Sequence, residues 1–219
     1  MAVLIPSIDE VITVPNWVSD LRSFRRWFLS DSFPSDAKVV YYDGNIWVDQ
    51  QMERALHTHI KTEIASVISQ WSKTHLPGMT YCDKLRFTDK AADLSCEPDV
   101  IFVTNISLEN GNVKLMDGDI SLEVEGSPEI IVEVISPTSV IKDEKTLREK
   151  YWQAGVQEYW LADSRKVPSL SILKRAVRGF VIVKANAQGW LRSEVLGALC
   201  RLISSPGPAA TTKVELEMK

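Results

Sequence analysis

Trp17, Leu21, Phe24, Trp27 and Phe28 fall mostly three or four residues apart, the period of one helix face, and predict an amphipathic helix near 17–29. The rhythm then changes. Val39-Val40-Tyr41-Tyr42 and Ile46-Trp47-Val48 flank Asp43-Gly44, which predicts a β-hairpin with Asp-Gly at its turn. A second stripe, Leu56, Ile60, Ile64, Val67, Ile68 and Trp71, predicts a long helix over about 52–73, followed by Pro77-Gly78. Strand-like runs come next, over about 79–88, 99–103, 113–116, 119–123 and 129–135, with Asn110-Gly111 and Asp117-Gly118 as turn dipeptides. A further helix is expected from Lys142 or Asp143 to Ala154. Leu147, Tyr151 and Ala154 form its buried stripe, and Gly155 sits just past its end. Residues 158–162 read as a buried strand, and 170–173 and 180–183 as strands either side of Arg178-Gly179. The segment from Ser204, rich in Pro, Ala and Thr, is expected to be disordered.

This order predicts an α/β domain with a mixed central sheet flanked by helices. The expected division is 1–37 as an N-terminal arm and helix, 38–203 as the domain, and 204–219 as a disordered tail. A length of 219 residues suits one such domain, and 45% apolar residues are enough to bury a real core. The longest apolar runs are strand-sized, which argues against a membrane span, and the start lacks the basic leader and apolar run of a secretory signal. Cys82, Cys96 and Cys200 are odd in number and have no paired spacing. They fit reduced thiols in the cytoplasm better than a disulfide scaffold or a zinc site. The net charge of -4 means that any nucleic-acid contact must be local or bridged by a metal.

The candidate chemistry lies in two acids. Glu97-Pro98-Asp99 precedes one strand-like run, and Glu133 stands inside Ile130-Ile131-Val132-Glu133-Val134-Ile135-Ser136. A carboxylate among β-branched residues is costly unless a metal, a proton or a partner charge compensates it. Two on neighbouring strands would make an oxygen site for a hard cation. The plainer readings are a Glu paired with a base at the sheet margin, and an Asp that opens a strand after proline. Glu123, Glu125 and Glu129 are expected to form a solvated hairpin face. There is no G-x-S-x-G elbow, phosphate-binding Gly-rich loop or H-E-x-x-H.

The two acid motifs are followed by Ser136-Pro137, Lys142-Asp143, Leu147-Arg148 and the run from Tyr151 through Gly155, Glu158-Tyr159-Trp160-Leu161 and Asp163. Together they resemble the Uma family of restriction-endonuclease-like bacterial proteins, which have the PD-(D/E)XK nuclease fold. The resemblance spans about 38–200. It implies a restriction-endonuclease-like mixed sheet and a nuclease that cleaves nucleic acid, DNA first, with Mg²⁺ or alternatively Mn²⁺. Carried over, Asp99 and Glu133 would be the metal-binding and catalytic acids, and the carbonyl of Val134 a further ligand.

The usual lysine two residues after the second acid is Ile135 here. Many family members place a substitute where this chain has Leu147, so another must serve: Lys142 first, then Lys150, then Lys145. The resemblance also implies that Glu63, from the long helix, could join the metal site. His59, four residues before it, would order Glu63 or touch phosphate, unless the two are simply an exposed polar pair. His57 and His59 do not share a helix face as a zinc pair would. Two readings stand. One is a metal-dependent endonuclease; the other is an inactive nucleic-acid-binding or protein-interaction domain on a nuclease scaffold. A homodimer is compatible with either, and no sequence feature fixes its interface.

Overall fold

A computed structural model describes residues 4–6, 11–34, 37–49 and 54–219 of the chain. Its centre is a six-stranded mixed sheet. In spatial order the strands are Gly179–Ile182, Ser169–Ala176, Glu158–Asp163, Ile130–Ile135, Val100–Thr104 and Gly78–Cys82. Only Ile130–Ile135 and Glu158–Asp163 run parallel, and every other neighbouring pair is antiparallel. The parallel pair needs a crossover, which the helical segment from Lys142 to Gln153 supplies.

The strands Ile130–Ile135 and Val100–Thr104 are apolar almost throughout, as expected of a sheet covered on two faces. On one face Val100, Phe102, Val132 and Trp160 meet Ile60, Ile64 and Ile68 of the long helix Ala55–His75. These isoleucines are completely buried, each contributing about 1.5–3 kcal/mol by leaving water. A three-stranded C-terminal sheet covers the rest of that face with Leu191, Ala198, Cys200, Val214 and Leu216. On the other face Ile101, Ile131, Ile135, Tyr159 and Leu173 meet Leu147, Tyr151 and Ala154 of the crossover. They also meet a second six-stranded sheet, which carries Val40, Phe87, Leu94 and Val124.

The N-terminal helix is Leu21–Phe28, capped by Asp20, whose carboxylate accepts the Ser23 N–H at 2.7 Å. It packs Phe24 and Trp27 on Val39 and Tyr41 of the expected hairpin. Asp43 and Gly44 both take positive φ at its turn, as a two-residue hairpin loop requires. Gly155 ends the crossover at φ +89, where a Cβ would lie 2.5 Å from the Ser127 hydroxyl. Glycine is thus imposed there by both conformation and space.

Several expectations need correction. The run expected as one strand over 79–88 is two, Gly78–Cys82 and Arg86–Asp89, in different sheets. A 3₁₀ turn, Gly118–Ile120, takes the start of the strand expected at 119–123, and the strand begins only at Glu123. Residues 52 and 53 of the expected long helix lie outside the described residues. The tail is not disordered: Thr212–Met218 is a strand antiparallel to Ala198–Pro206. Its alternation puts Val214 and Leu216 in the core and Lys213, Glu215 and Glu217 outward, a period-two pattern that the small residues before it obscured. The acidic run is not a solvated face either. Glu123 is buried against Arg25, and Glu129 accepts hydrogen bonds from the Thr104 N–H and hydroxyl, both at 2.9 Å.

Candidate active site

Strand alternation places Asp99 on the face of Ile101, and Glu133 on the face of Ile131 and Ile135, so both acids share the crossover side of the sheet. The antiparallel ladder between the two strands runs as far as Val132 opposite Val100. Two residues further, at the level of Val134, Pro98 has no N–H to offer. There the Asp99 side chain takes over: its Oδ2 accepts the Val134 N–H at 2.7 Å. The proline that breaks the ladder thus prepares the position from which Asp99 reaches the neighbouring acid strand.

Asp99 and Glu133 line one cleft together with Lys38, His57, Val134, Lys142 and Asp143. Arg54, Ser136, Ser164 and Arg165 also line it. Asp99 is 2% exposed and Glu133 3%. Lys38, on the first hairpin strand, donates to Asp99 Oδ1 at 2.7 Å. His57 Nε2 lies 2.9 Å from the Val134 carbonyl oxygen and 3.6 Å from Asp99 Oδ2. A carbonyl can only accept, so this nitrogen carries a proton. Glu133 Oε1 accepts from the Tyr151 hydroxyl at 2.6 Å. Lys142 opens a π-helical turn, Lys142–Leu147, and donates to Asp143 at 2.5 Å.

Burial opposes ionisation of Asp99, but Lys38, His57 and the Val134 N–H outweigh it and hold its pKa below the ordinary value. For Glu133 burial prevails: with Asp99 and Asp143 adding repulsion, its pKa rises to about 8 despite Lys142. Asp143 is raised chiefly by burial, and Lys142 is raised because Glu133 and Asp143 outweigh the burial that opposes its charge. Three carboxyl groups therefore face two lysines in a poorly solvated cleft. One of the three carries a proton near neutrality for want of a further positive charge.

That deficit, and a donor set made of oxygens, fit a hard divalent cation. Asp99, Glu133 and the Val134 carbonyl are the groups that could hold it. No cluster of three or more His, Cys, Asp or Glu side chains suited to a metal occurs among the described residues, so the backbone carbonyl is needed to complete the set.

Glu63 does not join them. Its Oε1 accepts the Leu216 N–H at 3.0 Å, and His59 Nε2 accepts the Val214 N–H at 3.3 Å. The i,i+4 pair lies on the helix side that receives the C-terminal strand, whereas His57 turns to the cleft. Among the lysines, Lys142 lines the cleft. Lys150 is taken up by Asp43 at 2.5 Å and the Ala92 carbonyl at 2.8 Å, and Lys145 borders a different depression beside Phe180. Sequence reasoning missed Lys38, His57, Asp143 and Tyr151. The Lys142-Asp143 pair itself carried a signal for Asp143. Lys38 comes from 61 residues away, and no local pattern marked it.

The mixed sheet, the covering helices and two acids at one strand junction define a restriction-endonuclease-like fold. The family model described as "Putative restriction endonuclease", Uma2, matches residues 21–204, and the chain belongs to that family. A crystal structure from Anabaena variabilis ATCC 29413, described as a "putative nuclease belonging to DUF820", superposes with a TM-score of 0.63 at 19% identity. The match covers 81% of this chain and 90% of that one. No curated protein matches the sequence. No helix among the described residues is long and apolar enough to cross a membrane.

Proposed function

We propose that the protein is a divalent-metal-dependent nuclease that hydrolyses phosphodiester bonds, with DNA as its substrate. The observation that carries this reading is the meeting of two buried acids, Asp99 and Glu133, in one cleft with Lys38 and Lys142. Asp99, Glu133 and the Val134 carbonyl would hold Mg²⁺ or Mn²⁺. When bound, such an ion polarises a scissile phosphate and lowers the pKa of an attacking water.

The chain's own residues do the rest. Glu133 must release its proton before it can act as a ligand, and Asp99 must exchange Lys38 for the cation. Lys142, anchored by Asp143, presents its ammonium group where negative charge builds on the phosphate. Lys38, once released, adds a second cation at the same cleft. Arg54 and Arg165 at the rim suit flanking phosphates.

The test is cleavage of plasmid and single-stranded DNA with Mg²⁺, with Mn²⁺ and with EDTA. Activity should require the metal and fall at least about 100-fold in Asp99→Ala and in Glu133→Ala. Cleavage that survives both substitutions removes the assignment.

A second reading rests on Ile135 in the usual lysine position and on Asp99 already engaged by Lys38. It makes the chain a binding domain without turnover, and nucleic-acid binding without cleavage under any metal condition would favour it.

A further inference from the structure

The run Tyr151 through Asp163 leads from the crossover helix into the strand that pairs with the Glu133 strand. Its two tyrosines are completely buried, pack edge to face with centroids 5.1 Å apart, and turn their hydroxyls toward the cleft's supports. Tyr159 donates to the Asp143 carbonyl at 3.0 Å, below the turn that delivers Lys142. Tyr151 donates to Glu133 at 2.6 Å, and the Cys96 sulfur lies 3.4 Å behind the same hydroxyl.

A tyrosine that merely filled space could be phenylalanine. Here the hydroxyl meets one oxygen of a buried carboxyl group, Oε1. The other, Oε2, belongs to a side chain that lines the cleft. Without the hydroxyl, Oε1 would be left unsatisfied in an apolar pocket, and the carboxyl group would be free to rotate toward Lys142. Burial raises the Tyr151 pKa well above 10, so the hydroxyl keeps its proton and remains a donor.

We propose that Tyr151 is a positioning residue: it fixes the Glu133 carboxylate through Oε1 so that Oε2 is presented to a divalent cation. The proposal rests on the metal-site reading above and deepens it. Groups that orient metal ligands from behind typically change metal affinity about 10- to 100-fold when removed.

The experiment is Mn²⁺ titration of the full chain by calorimetry, in the unmutated protein and in Tyr151→Phe, Glu133→Gln and Thr88→Val. Thr88→Val also deletes a buried hydroxyl, one that bonds Ser95 in the other sheet. The expected result is binding in the unmutated protein and in Thr88→Val, none in Glu133→Gln, and affinity about 10- to 100-fold weaker in Tyr151→Phe with an intact cooperative melt. Equal affinity in Tyr151→Phe overturns the proposal while leaving the metal site standing. No binding in the unmutated protein, or full binding in Glu133→Gln, overturns the metal reading and the proposal with it. Should Tyr151→Phe fail to fold, 3-fluorotyrosine in the unmutated chain replaces it. Mg²⁺ then shifts the fluorine resonance of Tyr151, identified by substituting the other four tyrosines, and a resonance that does not move overturns the proposal.

Discussion

Glu133→Gln should make the metal-free protein more stable at alkaline pH. The folded state holds the Glu133 proton up to about pH 8, whereas the unfolded chain releases it near 4.5. Between those values the unfolded state binds fewer protons than the folded state, so stability falls as pH rises, and the loss is complete above about 8. At about 1.4 kcal/mol per pKa unit the full shift corresponds to as much as about 5 kcal/mol. That is a sizeable part of the 5–15 kcal/mol by which domains are usually stable. Gln keeps an acceptor for the Tyr151 hydroxyl and has no charge to desolvate. The two proteins should therefore match within about 1 kcal/mol at pH 5 and separate by a few kcal/mol at pH 8.5.

Urea unfolding in EDTA across pH 5–9 measures this. The raised Asp143 keeps part of the slope in both proteins, because its carboxyl group also holds a proton longer when folded. Only the difference between the curves reports Glu133. Mn²⁺ should then raise the unmutated protein at pH 8.5 and leave Glu133→Gln where it was. Parallel pH curves, or a variant less stable at pH 8.5, would show that Glu133 is ionised and compensated within the cleft. The charge-deficit reasoning would then be wrong.

Four further variants have expected outcomes. Lys142→Met should lower DNA cleavage about 100-fold or more and also destabilise the fold by up to about 3–5 kcal/mol, since it leaves the buried Asp143 without its ion-pair partner, whereas Lys150→Met should cost about 1–3 kcal/mol in urea while leaving cleavage per folded molecule unchanged, since Lys150 joins Asp43 to the Ala92 carbonyl. Deleting residues 207–219 should lower the thermal midpoint sharply by exposing the sites of Val214 and Leu216, about 1.5–3 kcal/mol each, and Glu63→Ala should cost about 1–3 kcal/mol by orphaning the Leu216 N–H without altering Mn²⁺ affinity.

What could be read from the sequence followed the reach of each interaction. Periods of 3.6 and 2 are local, so the helices and the two acid strands were visible in the residues themselves. Asp99 and Glu133 stood out because acids are rare inside β-branched runs. The partners that decide their protonation were hidden, because Lys38 and His57 lie 61 and 42 residues before Asp99 and carry no mark of their own. Glu63 misled for the opposite reason. An i,i+4 pair with His59 identifies a shared helix side but not what covers it, and the cover is the C-terminal strand, 153 and 155 residues further along the chain. The burial of Glu123 and the bonding of Glu129 carry no local mark either, since the arginine and hydroxyls that satisfy them come from other elements.

The displaced lysine follows from packing. On the strand Ile130–Ile135, residue 135 shares its face with Glu133, which is where a lysine two residues on would lie beside the acid. Here that position is 3% exposed and belongs to the core cluster shared with Leu147 and Tyr151. An ammonium at 135 would lose its hydration beneath the crossover helix, a cost that its apolar neighbours could not offset. In the proposed nuclease the crossover that imposes this cost would also supply the lysine. Its last turns seat Leu147 and Tyr151 on the sheet. Its first turn is π-helical, and wider winding shifts the side-chain positions along that turn. It directs Lys142 into the cleft beside Asp143. Leu147 is the anchor of this arrangement, at 1% exposure. On the proposed reading, apolar residues at 135 and 147 and a lysine at 142 are one solution: the packing that excludes the cation from the strand would deliver it from the helix.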